Sequence, residues 1–563
     1  MKPITRGAAG AALLLASIFG IAGLRAIAAE ESGSAASREA ACPAPPADFV
    51  DPLNAPHWNG WGAGLSQHRF QDADMAQLAA ADVPRLKLKW AFGIPGASRA
   101  NAQPTVMGGR LFFGSQSGKV YSLDAKTGCT YWELDAGAAV RAAIIIGKDE
   151  AGWRAYFGDA RATVHAVDVR TGKSVWTTRV DDHLAARITG APLLAGTTLF
   201  VPVSSSEEGR AMDPHYPCCS FRGSVVALEA ATGKRLWKSY TITDEPKPGA
   251  TNSAGVPSIG PSGAAVWSSP TLDAAKGRLY VTTGDNYSDP PTATSDAILA
   301  LDAASGDLVW SRQMTAGDAF NMACSGTAAA NCPPSKGPDL DFGSSAVLAD
   351  LPGGKRVVIG AQKSGVVTAL DPDRGGEIVW QKRIGRGGAL GGIMWGPATD
   401  GGEIYVAVSD VKVRPVAPGT PGAQPSAAYP QLAFLLDNAV GGGLHALKLE
   451  TGEEIWRTPH PGCHDVPGCS PAQSAAVTAI PGIVFSGGLD GHLRAYSSGD
   501  GRIVWDVDTK GEHPTVNGVA AHGGSIDGPG PVVVGGMLYV NSGSAFYGTI
   551  PGNALLAFSV DGR

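Results

Sequence analysis

The last residues of the chain, NALLAFSVDGR (553–563), decide the fold. They begin as an alternating apolar strand and reach a turn glycine, and there the chain stops. Seven earlier segments start the same way and run on: VYSLDAKTGCTYW (120–132), VHAVDVRTGKSVW (164–176), VVALEAATGKRLW (225–237), ILALDAASGDLVW (298–310), VTALDPDRGGEIVW (367–380), LHALKLETGEEIW (444–456) and LRAYSSGDGRIVW (493–505). Each reads as strand, tight turn, strand: period-two alternation, then an Asp or a substitute opening a turn that Gly closes, then a second strand ending on Trp. The spacing of the Trp residues is variable but at least about 42 residues, the range of propeller blades. A blade cannot bury both faces alone, so the blades must stack around an axis, and the ring must close or leave open edges. Upstream of the first repeat lies LKLKWAFGI (86–94), a strand with Trp90 and no turn before it. It is the missing half of the unit begun at Asn553. The sequence therefore predicts an all-β, eight-bladed β-propeller closed by pairing of its N- and C-terminal strands.

Composition agrees. The 563 residues include 76 Gly, 40 Pro and 13 Trp, with little charge, which suits a turn-rich all-β protein whose size scales with blade number. A net charge of −6 is too mild to argue for nucleic acid or an anionic membrane as partner. Lys2 and Arg6 precede an apolar run from Ala8 to Leu24 and then AIAAE, a secretory signal over 1–29 cleaved near Ala28 or Ala29. The run is short for a membrane span and is broken by Arg25, so no transmembrane anchor is expected in the mature chain. An N-terminal extension over 30–85 follows, Ala/Ser/Pro-rich at first and then specific in HWNGWGAGLSQHRFQ (57–71); the propeller occupies 86–563.

Eight Cys in an exported chain point to disulfides. Cys324 with Cys332 and Cys463 with Cys469 each close a short loop. Cys218 and Cys219 are adjacent; they bridge each other, or each reaches a distant partner such as Cys42 or Cys129. No Cys-x-x-Cys-His occurs, so this chain carries no covalently attached c-type haem. The longest intervals between repeats, after Trp237, Trp310 and Trp380, hold insertions on neighbouring blades, which predicts a rim built over one mouth of the channel.

The ALDxxTGxxxW repeat, the eight blades and the Trp at the strand ends resemble the pyrroloquinoline-quinone-dependent alcohol dehydrogenases. The same blade also builds a non-enzymatic outer-membrane assembly lipoprotein, so a propeller scaffold is the alternative. Four local stretches favour the enzyme. ITGAPLLAGTTLFVPVSSSEE (188–208) is similar to the family segment that carries a Thr, a Ser and a calcium-ligating Glu, which implies those roles for Thr189, Ser204 and Glu207, or Glu208 if the register slips by one. VWSSPTLDAAKGRLYVTTGDN (266–286) is similar to the segment holding the aromatic floor under the quinone and an Asn ligand, implying Trp267 and Asn286; family members often have the Asn directly after the Gly, where this chain has Asp285. GPDLDFGSSAVL (337–348) implies Asp341 as catalytic base and metal ligand, and GAQKSGVVTALD (360–371) implies Lys363 at the quinone oxygens. A looser alignment gives Arg154 to a cofactor carboxylate.

Taken singly, each residue has an ordinary structural explanation. Together they occur in family order on different blades, and the chemistry needs this set: oxygen ligands for a hard cation, an aromatic face for a planar quinone, a carboxylate to take a hydroxyl proton. Two features depart from the family pattern. Where many members have a vicinal Cys pair roofing the quinone, this chain has VRAAIII (140–146), and Gly343 stands where the lanthanide-using branch has an extra Asp, which favours calcium. Within the family, HWNGWGAGLSQHRFQ, YPCCSFRGSVVAL and GAQKSG look most like the polyvinyl-alcohol dehydrogenase branch, whose typical members fuse a haem domain missing here. The resemblance implies periplasmic oxidation of a secondary or polymeric alcohol with pyrroloquinoline quinone and calcium, and an external electron acceptor, a cytochrome c.

Overall fold

Alternating strands with a turn every few residues give antiparallel sheets that twist, and twisted four-stranded sheets close into a ring. The structure, a computed structural model, describes residues 41–43, 49, 52–325, 329–420, 423–425, 433–463, 469–544 and 548–563. The expected signal over 1–29 lies outside them. Eight four-stranded antiparallel blades follow one another, numbered here by the chain: blade 1 spans Thr105–Asp135, blade 2 Ile145–Arg179, blade 3 Leu193–Tyr240, blade 4 Thr271–Gln313, blade 5 Val347–Arg383, blade 6 Ala398–Pro459 and blade 7 Thr478–Asp508. Blade 8 takes three strands from Val532–Val560 and its outermost strand, Leu86–Gly93, from the other end of the chain. That strand pairs antiparallel with Ala554–Val560, from Leu86 opposite Val560 to Gly93 opposite Ala554. The expected closure is present.

The repeated Trp locks each blade to the next. Trp132 Nε1 donates to the carbonyl of Val169 in blade 2 at 2.8 Å, Trp176 to Ala230 in blade 3 at 3.0 Å, and Trp456 to Ser498 in blade 7 at 2.7 Å. The turn glycine of the following blade is the seat of that ring. Gly172 has φ +68°, and a Cβ there would lie 2.7 Å from the Trp132 ring. One glycine thus satisfies the turn and the contact between blades at once, which is why the repeat keeps Gly and Trp together. The same relation runs from Gly128 against Trp90 round to Gly501 against Trp456. Trp310 differs: its buried indole N–H has no acceptor among the described residues, and the turn it meets, Asp371 to Gly376, is one residue longer than its counterparts.

The innermost strands leave unpaired edges facing the axis. The stretch 57–71 covers them in blade order. Trp58 exchanges backbone hydrogen bonds with Val106 of blade 1, and Asn59 pairs its amide with Ile146 of blade 2. Leu65, Ser66 and His68 carbonyls accept from Leu272, Leu348 and Thr399 of blades 4, 5 and 6; Arg69 and Gln71 pair with Ala479 of blade 7. At its centre Arg69, 1% exposed, donates to the Val477 and Trp61 carbonyls, to Gln103 and to Thr478, and lies 4.9 Å from the Trp61 ring. The motif therefore belongs to the propeller as a belt across its axial channel.

All eight cysteines are paired: Cys42–Cys129, Cys218–Cys219, Cys324–Cys332 and Cys463–Cys469. Of the two readings for the adjacent pair, the vicinal bridge is the one observed, and Cys42 takes Cys129. The vicinal pair is buried with Phe221, Tyr287 and Ala323 in the core beneath blade 3.

Candidate active site

The loops that enter the innermost strands converge on one mouth of the axis, above the belt. Those of blades 1 to 6 and 8 line a cavity of about 720 Å³. Thr189, Ser204, Trp267, Asp341 and Lys363, all singled out in the sequence, line it together. Thr189 and Ser204 share a hydrogen bond between their hydroxyls at 2.8 Å, and Thr189 Oγ1 donates to the Trp267 carbonyl at 3.2 Å. This fixes the start of blade 4 against blade 3. The Trp267 ring is half-buried and packs edge-on against Trp395, with centroids 5.5 Å apart. Gly343 makes room for it, since a Cβ there would meet Trp267 Cη2 at 2.4 Å. Trp267 thus presents an aromatic surface to the cavity.

Beside that surface, side chains from blades 4 and 5 form a carboxylate triangle. One ligand atom from each of Asp285, Asp339 and Asp341 lies within 4.8 Å of the other two. Asp341 Oδ1 accepts from the Asp285 N–H at 2.7 Å. Lys363 Nζ bridges Asp339 Oδ1 at 2.7 Å and Asp341 Oδ2 at 3.1 Å, and lies 5.6 Å from the centre of the Trp267 ring. Burial opposes the charge on Lys363, but Asp339 and Asp341 outweigh it and push the ammonium well above the ordinary lysine range. Burial, then the neighbouring carboxylates, push Asp285 well up. Asp285 is 3% exposed, and its Oδ2 has no hydrogen-bond partner among the described residues, nor has either oxygen of the fully buried Asp296. Unpaired buried carboxylate oxygens are costly, and so many acids around one lysine leave a site suited to a hard cation.

Three expected residues lie elsewhere. Glu207 is fully buried and turned from the cavity: its oxygens accept from Tyr216 OH and the N–H groups of Ser220 and Phe221 at 2.8–2.9 Å. Burial would raise its pKa, but His183 and those N–H groups hold it below the usual range. Glu207 anchors the loop that follows the vicinal disulfide. Its neighbour Glu208 lines the cavity instead, pushed up to about 7 by burial and then by Asp341. Asn286 is also fully buried; its amide is spent on Ser262 and Thr292, and Asp285, directly after Gly284, is the residue that joins Asp339 and Asp341. Arg154 pairs with Asp149 at 2.9 Å and Asp168 at 3.3 Å within blade 2, where it holds a hairpin. The vicinal disulfide is packed in the core and does not roof the cavity.

Sequence reading missed the cationic wall. Arg99, Arg141 and Arg187 line the cavity on the side of blades 1 to 3. Burial pushes Arg141 down to about 10, with Asp527 opposing and Arg187 and Arg99 adding to the effect. Arg141 lies 4.6 Å from the Trp395 ring, whose N–H donates to Asp527 at 2.7 Å. Clustered guanidinium groups beside an aromatic floor fit a planar anion. Arg141 stands in VRAAIII and Arg187 two residues before Thr189, so both were beside motifs already singled out.

At one mouth of this eight-bladed ring, then, a lysine-bridged carboxylate cluster stands beside Trp267. Residues 58–330 match the family described as glucose/ethanol/alcohol dehydrogenase, β-propeller domain. Residues 363–544 also match the outer membrane protein assembly factor BamB; that match begins after Asp285, Asp339 and Asp341. The chain is 42% identical over 535 residues to a polyvinylalcohol dehydrogenase of a Pseudomonas species, covering 92% of this chain and 79% of that one. It is 41% identical to the polyvinylalcohol dehydrogenase of Sphingopyxis sp. strain 113P3, covering 91% and 78%. The quinohemoprotein alcohol dehydrogenase of Comamonas testosteroni shares the fold, with a TM-score of 0.63 at 20% identity over 94% of this chain and 84% of that one. The chain belongs to the quinoprotein alcohol dehydrogenases and is an oxidoreductase of that family, beside the polyvinyl alcohol dehydrogenases.

Proposed function

We propose that this protein oxidises secondary hydroxyl groups, including those of polyvinyl-alcohol-like chains, with pyrroloquinoline quinone and calcium, in the periplasm, and passes the electrons to an external cytochrome c. The observation that carries the reading is the cavity's two-sided chemistry: guanidinium groups on one side, and on the other Glu208, Asp339 and Asp341 around Lys363 next to Trp267, with Asp285, whose Oδ2 is unpaired, beside Asp339 and Asp341. The donor set fits both groups. Arg141 and Arg187 would meet the quinone's carboxylates and Trp267 its face, while Glu208, Asp285 and Asp341 supply the oxygens a hard cation takes. The relatives' names point to the alcohol substrate. The export signal expected from the sequence and the four disulfides support the periplasm. No described helix is long and apolar enough to cross a membrane.

When bound, the quinone supplies a two-electron oxidant and the cation polarises it. The protein's own part is proton and charge management. Asp341 lines the cavity with Oδ1 held by the Asp285 N–H and Oδ2 by Lys363, and would take a hydroxyl hydrogen there. Lys363 keeps its proton because two carboxylates flank it, which places a fixed positive charge beside Trp267.

The test uses the full chain stripped of cofactors. Quinone with calcium should raise its melting temperature and confer dye-linked oxidation of secondary alcohols, with polyvinyl alcohol compared directly against small alcohols. Binding of neither quinone nor calcium would remove the enzyme reading and leave the scaffold.

A further inference from the structure

Asp318–Phe320 lies in the insertion after Trp310, outside the blades, and runs between two segments of the site. On one side the Asn286 N–H donates to the Asp318 carbonyl at 3.2 Å and the Phe320 N–H to the Asn286 carbonyl at 2.7 Å. On the other, the Gly337 N–H donates to the Ala319 carbonyl at 3.0 Å. The Asp318 carboxylate, fully buried, then caps the loop that follows: Oδ1 accepts from the Asp339 N–H at 3.1 Å and Oδ2 from the Leu340 N–H at 2.8 Å. One residue therefore ties the backbone beside Asp285 to the loop that carries Asp339 and Asp341. Asp339 has φ +60°, a left-handed conformation that a non-glycine residue holds only when its surroundings impose it. Gly337 completes the fit, because a Cβ there would lie 2.1 Å from Asp318 Oδ1.

We propose that Asp318 is a positioning residue: by gripping both backbones it sets the spacing of the carboxylate triangle, and with it the affinity for a cation, without being a ligand itself. This rests on reading the triangle as the cation site. A hard cation needs its oxygens to converge on one point, so a loop freed to relax from the left-handed region opens the set. Outer partners of this kind are worth about 10–100-fold in metal affinity.

Asp318→Asn keeps the shape but turns an N–H₂ toward one of the two backbone donors. Gly337→Ala keeps the charge and pushes the carboxylate off both. Each variant, full length and stripped of cations, is titrated with terbium, read by luminescence sensitised through the adjacent tryptophan, and with calcium in competition; melting is followed in chelator. Both variants should bind terbium and calcium about tenfold or more weaker than the parent, while melting in chelator falls far less than with Arg69→Met, which strips the belt. Affinities within about twofold of the parent in both variants overturn the proposal, whatever happens to melting. Where Asp318→Asn does not fold, Gly337→Ala decides by the same criterion. Failure of the parent itself to bind either ion removes the cation site, and the proposal with it, and is recognised because it occurs before any substitution.

Discussion

Gly343→Ala tests the floor of the cavity with a single methyl group. Gly343 does not hold a left-handed φ, so alanine fits the backbone and the whole effect is one of space. The new Cβ would lie 2.4 Å from Trp267 Cη2 and 2.4 Å from the Met394 carbonyl oxygen. The carbonyl is backbone, in the loop entering blade 6. The ring is half-buried and borders the cavity, so the ring must give, by about 1 Å to regain ordinary contact at about 3.4 Å. Overpacking of this size costs about 1–3 kcal/mol. A planar ligand that stacks on Trp267 in its parent position must press the displaced ring back against the methyl, which returns that cost on binding as a loss of about 5- to 150-fold in affinity. The assay is titration of the stripped protein with pyrroloquinoline quinone at saturating calcium, followed calorimetrically beside the parent, with thermal melting in the absence of both. Gly284→Ala serves as a graded comparison, since its Cβ would meet Asp341 Oδ1 at 3.0 Å and Trp267 Nε1 at 3.2 Å, a milder clash. Quinone affinity in Gly343→Ala equal to that of the parent would refute Trp267 as the floor. The same geometry gives Gly343 a steric meaning beyond the one read from the resemblance: any side chain there displaces the ring.

Four further outcomes are expected. Glu207→Gln should lower the melting temperature, because an amide N–H₂ would face the Ser220 or Phe221 N–H, whereas Glu208→Gln should weaken calcium binding. Glu208 is raised to about 7, so folding favours its protonated form; without cation that stability is fully present below the ordinary glutamate range and lost as pH rises toward 7, and Glu208→Gln should melt higher than the parent at pH 8 by up to about 3 kcal/mol but not at pH 4. Arg69→Met should destabilise by on the order of 3 kcal/mol in denaturant titrations, and Arg69→Lys by most of that, since four acceptors from different parts of the ring lose one rigid fork. In blade 7, Asp490 meets Arg494 at 2.6 Å and His460 at 3.2 Å; burial would raise its pKa, but these partners hold it well below the usual range. Asp490→Asn should cost about 3–5 kcal/mol near neutrality, and because a depressed carboxylate loses its contribution only as pH falls through its folded value, the gap to the parent should persist at pH 5 and close only below about pH 4.

The sequence by itself determined the ring. Alternation, a turn glycine and a tryptophan four residues on are local signals, and they recur because each blade must solve the same two problems, turning sharply and seating its neighbour's ring. The unfinished repeat at Gly562 and the lone strand around Trp90 were enough to foresee the closure, since a half unit at each end leaves one pairing that removes both edges. The motifs also placed Thr189, Ser204, Trp267, Asp341 and Lys363 at one mouth. Tertiary structure decided what adjacent positions could not. Glu207 and Glu208 differ only in which way a short helical turn faces, and the N–H groups of Ser220 and Phe221, distant in the turn's own sequence signal, claim the first and leave the second to the cavity. Asn286 and Asp285 divide in the same way, because Ser262 and Thr292 occupy the asparagine. Arg99, Arg141 and Arg187 come from three different blades, and Asp339 becomes Lys363's partner only where blade 5 folds back on its own loop. Long-range pairing of this kind leaves no period in the chain, so a side chain's direction at the axis is set by the blades around it and not by its neighbours in sequence.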